Sequence, residues 1–517
     1  MSKITASVIP LTINKGVKIK QNKRKLNKFV TFMTKIKFYC VMKYQWIYGF
    51  TAMGLFASCN KMPKPASETK PNIIFILADD LGYGDLGCYG QKVIKTPNLD
   101  RMAAEGIRFT HHYAGSTVSA PSRCCLMTGK HTGHARVRGN TLVPLQEGDT
   151  TIAELLLRAG YHTALIGKWG LGEAGTSGIP NRKGFEYFFG YLNQVHAHNS
   201  YPDYLWRDTS RVMLNNGVIL KPASRPETEG GVASQKNDYS NALFTDEALR
   251  YIRTNSKNPF FLYLAYTIPH ANNEALELNS IPIEIPSPGE YANTSWPEQE
   301  KAKAAAISYL DKDVGRIISL LKELGIDKNT IVFFSSDNGP HQEGVNPEFF
   351  NSNGPLYGIK RDLYEGGIRV PLIVWAPALI AQGKVSSHVS AFWDFLPTAC
   401  ELAGIPVPAW TDGISFVPAL MDKEQKQHEY LYWEFYEQGG KQAVLIPSGQ
   451  KAIRLNMTNN PDAPLLFYHI FEDPHEQNGT GVVSPEEEKL FLSIMAREHV
   501  PSAEFMFEYE KKKEEAH

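Results

Sequence analysis

An Asp-Asp pair, an Asp-Asn pair and one serine–arginine segment carry side chains that could do chemistry together. Asp79-Asp80 closes the apolar run NIIFILADD, and Asp337-Asn338 closes IVFFSSDN. Each pair sets two oxygen-bearing side chains directly after a strand-like stretch. Four such groups at one sheet edge would suit a hard cation, Ca2+ or Mg2+, and not a zinc site built on Cys or His. Alone, either pair reads more readily as a turn or a helix cap. The segment STVSAPSRCCLMTGKHTGH adds Ser119 and Arg123. If a helix begins at Pro121, Arg123 folds back over Ser119, and the helix amino terminus favours a bound anion. Serine caps beside a surface arginine are the other reading of that spacing.

These groups need regular elements to position them. Residues 72–77, 161–166, 260–266, 331–335 and 370–375 are short apolar runs rich in β-formers, which suits strands buried on both faces. Helical patterns lie between them at 97–105, 151–159, 246–255 and 301–324, and TGKHTGHARV after Arg123 also looks helical. This alternation predicts an α/β fold, a large and mostly parallel sheet sandwiched by helices. Ligands of such folds sit beyond the carboxyl ends of the strands. Asp79-Asp80, Gly167-Lys168, Pro269-His270 and Asp337-Asn338 all fall there. From about residue 425 the texture becomes successive strands separated by turns, with a closing helix capped at Ser484. This predicts a main domain over 71–424 and a smaller α+β domain with an antiparallel sheet over 425–517.

The formal net charge of zero hides an asymmetry. Residues 1–58 hold 10 Lys, one Arg and no acidic residue; without them 43 basic side chains face 54 acidic ones, a net charge of −11. That excludes nonspecific nucleic-acid binding, which depends on an excess of Lys and Arg. Within residues 1–58, Met42-Lys43 precedes an uncharged, mostly apolar run from Tyr44 to Ser58, too short to span a membrane and suited to a signal peptide. Cys59 follows Ala57-Ser58, as the lipidated first residue of a bacterial lipoprotein would. A plain secretory signal with an incidental cysteine is the alternative. Residues 1–41 read as an upstream extension and 59–70 as a tether. The remaining cysteines show no metal-ligand spacing and read as small buried residues, with one disulfide left open.

SAPSR matches the Cys/Ser-x-Pro-Ser/x-Arg signature of type I sulfatases, within the alkaline phosphatase-like superfamily. PNIIFILADDLGYGDLGCYG, FFSSDNGPH and GIKRDLYEGGIRVPLIVWAP resemble that family's two metal segments and its downstream lysine segment, in the expected order. The resemblance implies that Ser119 is a precursor of formylglycine. The hydrated aldehyde attacks sulfur with one hydroxyl and expels the alcohol. Loss of the proton from its second hydroxyl then releases sulfate, which a plain serine ester could not do. A serine-type signature implies a radical-type maturing enzyme and an anaerobic bacterial host. By motif position, Asp79, Asp80, Asp337 and Asn338, with the modified Ser119, would hold one Ca2+ in preference to Mg2+. Arg123 would hold the hydrate, Lys168 and Lys360 would neutralise sulfate oxygens, and His270 would bind sulfate or protonate the leaving oxygen.

One departure from the family pattern concerns the leaving group. Many sulfatases carry a histidine where Gly170 stands in GKWGLG. His196 and His198, in NQVHAHNSYPDYLW, are candidate replacements, with His198 preferred. Tyr201, Tyr204, Trp206, Trp433 and Phe435 could stack on a sugar, and Lys441 and Gln442 could reach the rim. The partners implied are a sulfated carbohydrate and the maturing enzyme, with membrane contact only through the lipid anchor of an exported, periplasmic or outer-membrane protein. Exo-action is expected. The rival readings are a phosphodiesterase or phosphonate hydrolase of the same superfamily, and a noncatalytic glycan-binding descendant.

Overall fold

The computed structural model describes residues 70–515 apart from 459, 478 and 480–482. The expected signal peptide, Cys59 and all but the last residue of the expected tether lie outside the described residues. Strand β1 (Asn72–Asp79) is buried along its whole length. Ile73, Phe75 and Leu77 face one core; Ile74, Ile76 and Ala78 face another. Apolar residues on both sides of the pleat are what a strand covered twice by helices requires. Each large side chain so buried contributes about 1.5–3 kcal/mol relative to exposure.

Strands β2 (Ile107–Tyr113), β3 (His162–Lys168), β4 (Tyr187–Tyr191), β5 (Phe260–Pro269), β6 (Thr330–Ser336) and β7 (Arg369–Trp375) complete the middle of the sheet. Their spatial order is β2-β7-β6-β1-β5-β3-β4, continued past β4 by a hairpin, Tyr204–Arg207 with Ser210–Met213. From β6 to β4 all neighbours are parallel. β7 runs antiparallel to both β6 and β2. The sheet is thus mixed and mostly parallel, in agreement with the alternation read from the sequence.

Register puts the strand ends side by side. Ala78 lies opposite Ser336, Asp79 opposite Pro269 and Gly167 opposite Ala265. Because β7 is reversed, the loop entering it arrives at this same edge, where Arg369 pairs with Tyr113 at the end of β2. Helices Pro97–Glu105, Ser240–Asn255 and Glu298–Glu323 pack in one core, and Ser119–Thr128, Ile152–Arg158 and Phe395–Leu402 in the other. The second of these begins at Ser240, not Asp246, because Asn241 is satisfied inside the core: its amide bonds both Thr267 N–H and Thr267 Oγ1. Cys88, Cys124, Cys125 and Cys400 are free thiols, the last three buried.

β8 (Leu431–Phe435), β9 (Lys441–Leu445), β10 (Gln450–Arg454) and β11 (Leu465–His469) form an antiparallel sheet in sequence order. The helix Pro485–Glu498 lays Phe491, Ile494 and Met495 against Tyr432, Val444 and Ala452. It opens with a capping box between Ser484 and Glu487, with proline at its first position.

Two buried ion clusters fasten this sheet. Lys451 Nζ lies 2.9 Å from Glu365 and 2.9 Å from Glu476. Glu434 accepts from Arg138 at 2.9 Å and meets His499 Nδ1 at 2.8 Å, while His499 Nε2 meets Glu510 at 2.8 Å. Burial pushes the His499 pKa down, but the bonds to Glu434 and Glu510 outweigh it and raise it from 6.5 to about 9. A raised folded-state pKa stabilises fully below the ordinary value, and the contribution is lost as pH rises through the folded one. His499→Gln should therefore lower Tm most at about pH 6, with the deficit shrinking as pH passes about 9. Thermal melts across that range check this, and a deficit independent of pH would contradict it.

Candidate active site

Asp79 is the last residue of β1, and Asp80 takes a left-handed backbone, φ 64°. Aspartate tolerates that region better than most residues. The turn breaks the strand's alternation, so both carboxylates face one crevice, where an oxygen of each lies within 4.8 Å of a His270 nitrogen. Asp337 follows β6. Its N–H donates to Ala78 O at 3.1 Å, and its Oδ1 accepts from Asp80 N–H at 3.1 Å. Asn338 Nδ2 donates to Asp80 Oδ1 at 2.7 Å.

Ser119 is the first residue of its helix, so Pro121 is third and not first as the sequence reading had it. The correction costs nothing, since no N–H of the first turn has an intrahelical partner to lose. Asn140 Oδ1 accepts the Ala120 N–H at 2.9 Å. The helix stops at Thr128, where Gly129 caps it at φ 65°, so TGKHTGHARV does not continue it. Ser119 and Arg123 are one turn apart and share a face.

Three cations meet three carboxylates here. Arg123 Nη2 and Nε lie 2.9 and 3.2 Å from Asp337 Oδ2, and Nη1 donates to Lys168 O at 3.0 Å. Lys168 Nζ donates to Asp79 Oδ2 at 2.7 Å and lies 3.4 Å from Ser119 Oγ. Ser119 Oγ in turn donates to Asp79 Oδ1 at 3.1 Å. Lys360 Nζ donates to Asp80 Oδ2 at 2.8 Å and to His270 Nε2 at 3.1 Å. His270 Nδ1 then carries its proton towards Ala271 O at 2.6 Å. Every one of these side chains is buried. Burial raises the Asp79 pKa, but Lys168, His270 and Arg123 outweigh it and hold that carboxyl well below the usual range. Asp337 goes the other way: burial and the neighbouring Asp79 push it up to about 6. The three carboxylates repel one another even with the cations present. Asn338 Oδ1 is buried with no hydrogen-bond partner.

The crevice therefore gathers Asp79, Asp80, Ser119, Arg123, Lys168, His270, Asp337, Asn338 and Lys360. His198 borders it, its ring stacked on that of His270 at 5.0 Å and 15°. Other expected residues lie elsewhere. His196 is buried between Tyr191 and Tyr204 and faces Asp203 at 3.7 Å. Lys441 Nζ is spent on Arg361 O at 2.7 Å and Gln438 Oε1 at 2.9 Å, propping the loop that carries Lys360. Gln442 is buried on Tyr432 OH at 2.8 Å. Of the aromatic side chains read as sugar platforms, Tyr201, Tyr204, Trp433 and Phe435 are buried. They fill cores, and only half-buried Trp206 retains a surface. Sequence reasoning missed Asn140, Glu274 and Gln194. The last occupies the space beside Gly170, whose φ is 78° and where a β-carbon would lie 2.8 Å from Gln194 Cγ. A cavity of about 840 Å³ lies away from this crevice, between the β2 edge and the small sheet.

The comparisons with known proteins bear on this arrangement. The family model described as Sulfatase matches residues 71–405, and that of N-sulphoglucosamine sulphohydrolase, C-terminal, matches 356–494. The chain is 32% identical over 443 residues to N-acetylgalactosamine-6-sulfatase of Mus musculus, covering 81% of this chain and 78% of that protein. It is 31% identical over 437 residues to steryl-sulfatase of Homo sapiens, covering 71% and 72%. Among solved structures it resembles Ps i-CgsB in complex with k-i-k-neocarrahexaose, with TM-score 0.68, 27% identity and 83% and 92% of the two chains covered. A Bacteroides thetaiotaomicron sulfatase from a glycosaminoglycan-metabolism locus matches with TM-score 0.68, 25% identity and 83% and 99% coverage.

Removing one partner of a buried ion pair leaves an uncompensated charge and destabilises by about 3–5 kcal/mol. Arg123→Met should lose that much in urea unfolding of the metal-free protein. A loss below about 1 kcal/mol, as at exposed pairs, would show the cluster to be solvated.

Proposed function

The chain belongs to the sulfatase family and is a sulfuric ester hydrolase, and from that premise we propose that it desulfates glycans through Ser119 in its formylglycine form, beside a bound Ca2+. The seat of Ser119 carries the reading: its Oγ lies between Asp79 and Lys168, one turn from Arg123, where strand ends crowd three carboxylates. The donor set fits a hard cation. Asp79, Asp80, Asp337 and Asn338 offer only oxygen as ligands, the Asn338 Oδ1 lone pairs are unclaimed, and burial together with Asp79 raises Asp337 to about 6. When bound, Ca2+ supplies charge that steadies the nucleophile and the sulfate oxygens.

The remaining work belongs to the chain's own side chains. Arg123 holds the oxidised Ser119 in place. Lys168 and Lys360 reach the sulfate oxygens as negative charge develops. His270, with Nδ1–H committed to Ala271 O, accepts from the Lys360 ammonium at Nε2 and so steers Lys360 towards the same anion. His198 stands beside the leaving oxygen in place of the side chain that Gly170 lacks. A radical-type maturase oxidises Ser119, and Cys59 anchors an exported protein. No helix among the described residues is long and apolar enough to cross a membrane.

The substrate class is suggested by relatives named for N-acetylgalactosamine 6-sulfate and by a neighbour bound to neocarrahexaose. Ser119 is only 1% exposed and Lys360 6%. Side chains so deeply buried suit a terminal sugar, hence exo-action, and N-acetylgalactosamine 6-sulfate is the first probe. In protein from a host with the maturase, the Ser119 peptide should weigh less by about two hydrogens. Ser119→Ala should abolish sulfate release, and an unmodified wild-type enzyme with full activity would refute the reading. Chelation should lower Tm and stop turnover, with Ca2+ restoring both. A metal-stripped enzyme of unchanged rate would remove the cation from the scheme.

A further inference from the structure

Glu274 is a fully buried carboxylate that the scheme above does not use. It lies in the short helix Asn273–Glu277, just past His270. A buried carboxylate is costly unless something holds it. Its Oε2 is 3.0 Å from His198 Nδ1. Its Oε1 lies 3.3 Å from Arg225 Nη1 without hydrogen-bond geometry. The loop carrying Arg225 closes over it: a β-carbon on Gly230 would lie 2.6 Å from Glu274 Oε2, and Asn272 Nδ2 fastens Gly231 O at 2.9 Å. The carboxylate is thus packed into a fixed place with one imidazole in front of it.

Of the imidazoles on the crevice and the segments beside it, only His270 has both ring nitrogens hydrogen-bonded, and the buried ring nitrogens of His196 and His341 Nδ1 have no hydrogen-bond partner among the described residues. His270 uses Nδ1 on Ala271 O and Nε2 on Lys360. His341 Nε2 bonds Pro269 O at 3.2 Å, and its Nδ1 lies 3.5 Å from Glu343. His196 is turned away among tyrosines. His198 differs: Nδ1 is taken by Glu274, while Nε2 has no protein partner among the described residues, and the ring lies against His270.

We propose that Glu274 is a positioning residue that fixes His198 with Nδ1 protonated and Nε2 directed at the departing oxygen, so that His198 donates the proton the sugar leaving group needs. This rests on the sulfatase reading and deepens it by naming the proton source. As the nucleophile's oxygen bonds to sulfur, the sulfur–oxygen bond to the sugar breaks and its electron pair moves onto the sugar oxygen. The proton on His198 Nε2 passes to that oxygen. The imidazole is left neutral, with Nδ1–H still on Glu274. At all stages the carboxylate selects the tautomer and the ring's rotation.

An aryl sulfate tests this, because a nitrophenolate departs without needing a proton and a sugar alkoxide does not. Glu274→Gln, Glu274→Ala and His198→Gln are prepared as the modified holoenzyme and assayed on 4-nitrophenyl sulfate and on N-acetylgalactosamine 6-sulfate, or another sugar sulfate the wild-type enzyme cleaves. General acid catalysis supplies about 100- to 10,000-fold, so the ratio of kcat/KM on the aryl ester to that on the sugar ester should rise at least about 30-fold in Glu274→Gln and more in His198→Gln. The double variant should be no slower on the sugar ester than His198→Gln alone, since the two residues act as one unit. An unchanged ratio in His198→Gln, equal losses on both esters, or losses that multiply in the double variant would overturn the proposal. If Glu274→Ala and Glu274→Gln do not fold, His198→Gln still decides by the ratio. A correctly modified wild-type enzyme that cleaves neither ester would sink the proposed function itself, and this inference with it.

Discussion

Three carboxylates in a crevice nearly closed to water are the constraint on which the rest of the structure depends. Isolated, each would protonate or draw water in. They remain charged because Arg123, Lys168 and Lys360 stand within hydrogen-bond reach. Yet the balance is imperfect, since Asp337 is still pushed up to about 6. A site holding such tension needs walls that cannot relax. The two apolar cores on either side of the sheet supply them, because close-packed interiors resist small displacements.

Topology converts that requirement into chain order. Parallel neighbours all end at one edge, so Asp79, Lys168, His270 and Asp337 arrive together although they are far apart in sequence. The helix from Ser119 brings Arg123, and one reversed strand brings the last cation. β7 enters from the same edge, and Lys360 in its entry loop is pinned by its N–H to Pro340 O at 2.9 Å and by the next residue's N–H to Thr117 O at 3.0 Å. Arg361 adopts φ 77° to make this turn, a conformation that few side chains tolerate and that surrounding bonds must hold.

Much of this was legible in the residues. Apolar runs rich in Ile and Phe announced strands, and the polar groups that follow them announced the working edge. The direction of β7 was not legible, because a strand buried on both faces has the same composition either way. The roles of Lys168, His270 and Lys360 came only from resemblance, since a lysine or histidine after a strand has many ordinary uses. The start of the helix at Ser119 was misjudged because proline suits any first-turn position, not only the first. His196 and His198 illustrate a finer limit. They sit on a single 3-10 turn, where successive residues rotate by about 120°, so two residues apart they point to different sides. Trp433 and Phe435 looked like sugar platforms and Gln442 like a rim residue, but all three belong to strands whose other neighbours cover them. Which face of a strand is outermost depends on partners that are not local in sequence.

The charge count explains how one crevice could serve two tasks. With neutral imidazoles, three carboxylates and three cations sum to zero, which neither attracts nor repels an anion strongly. On the proposed reading, a divalent cation held by the aspartates would make the cluster net positive and would loosen the hold of Asp79 on Lys168 and of Asp80 on Lys360. Those ammonium groups are then available to a sulfate oxygen without either moving far, because each is already anchored beside Ser119 or His270. Arg123 is not released in the same way. It grips Asp337 with two nitrogens and Lys168 O with a third, and a planar fork so committed gains little by leaving. Long flexible lysines at the positions that would change partner, and a rigid arginine at the one that would not, suit a cluster that would become an anion trap on binding a cation.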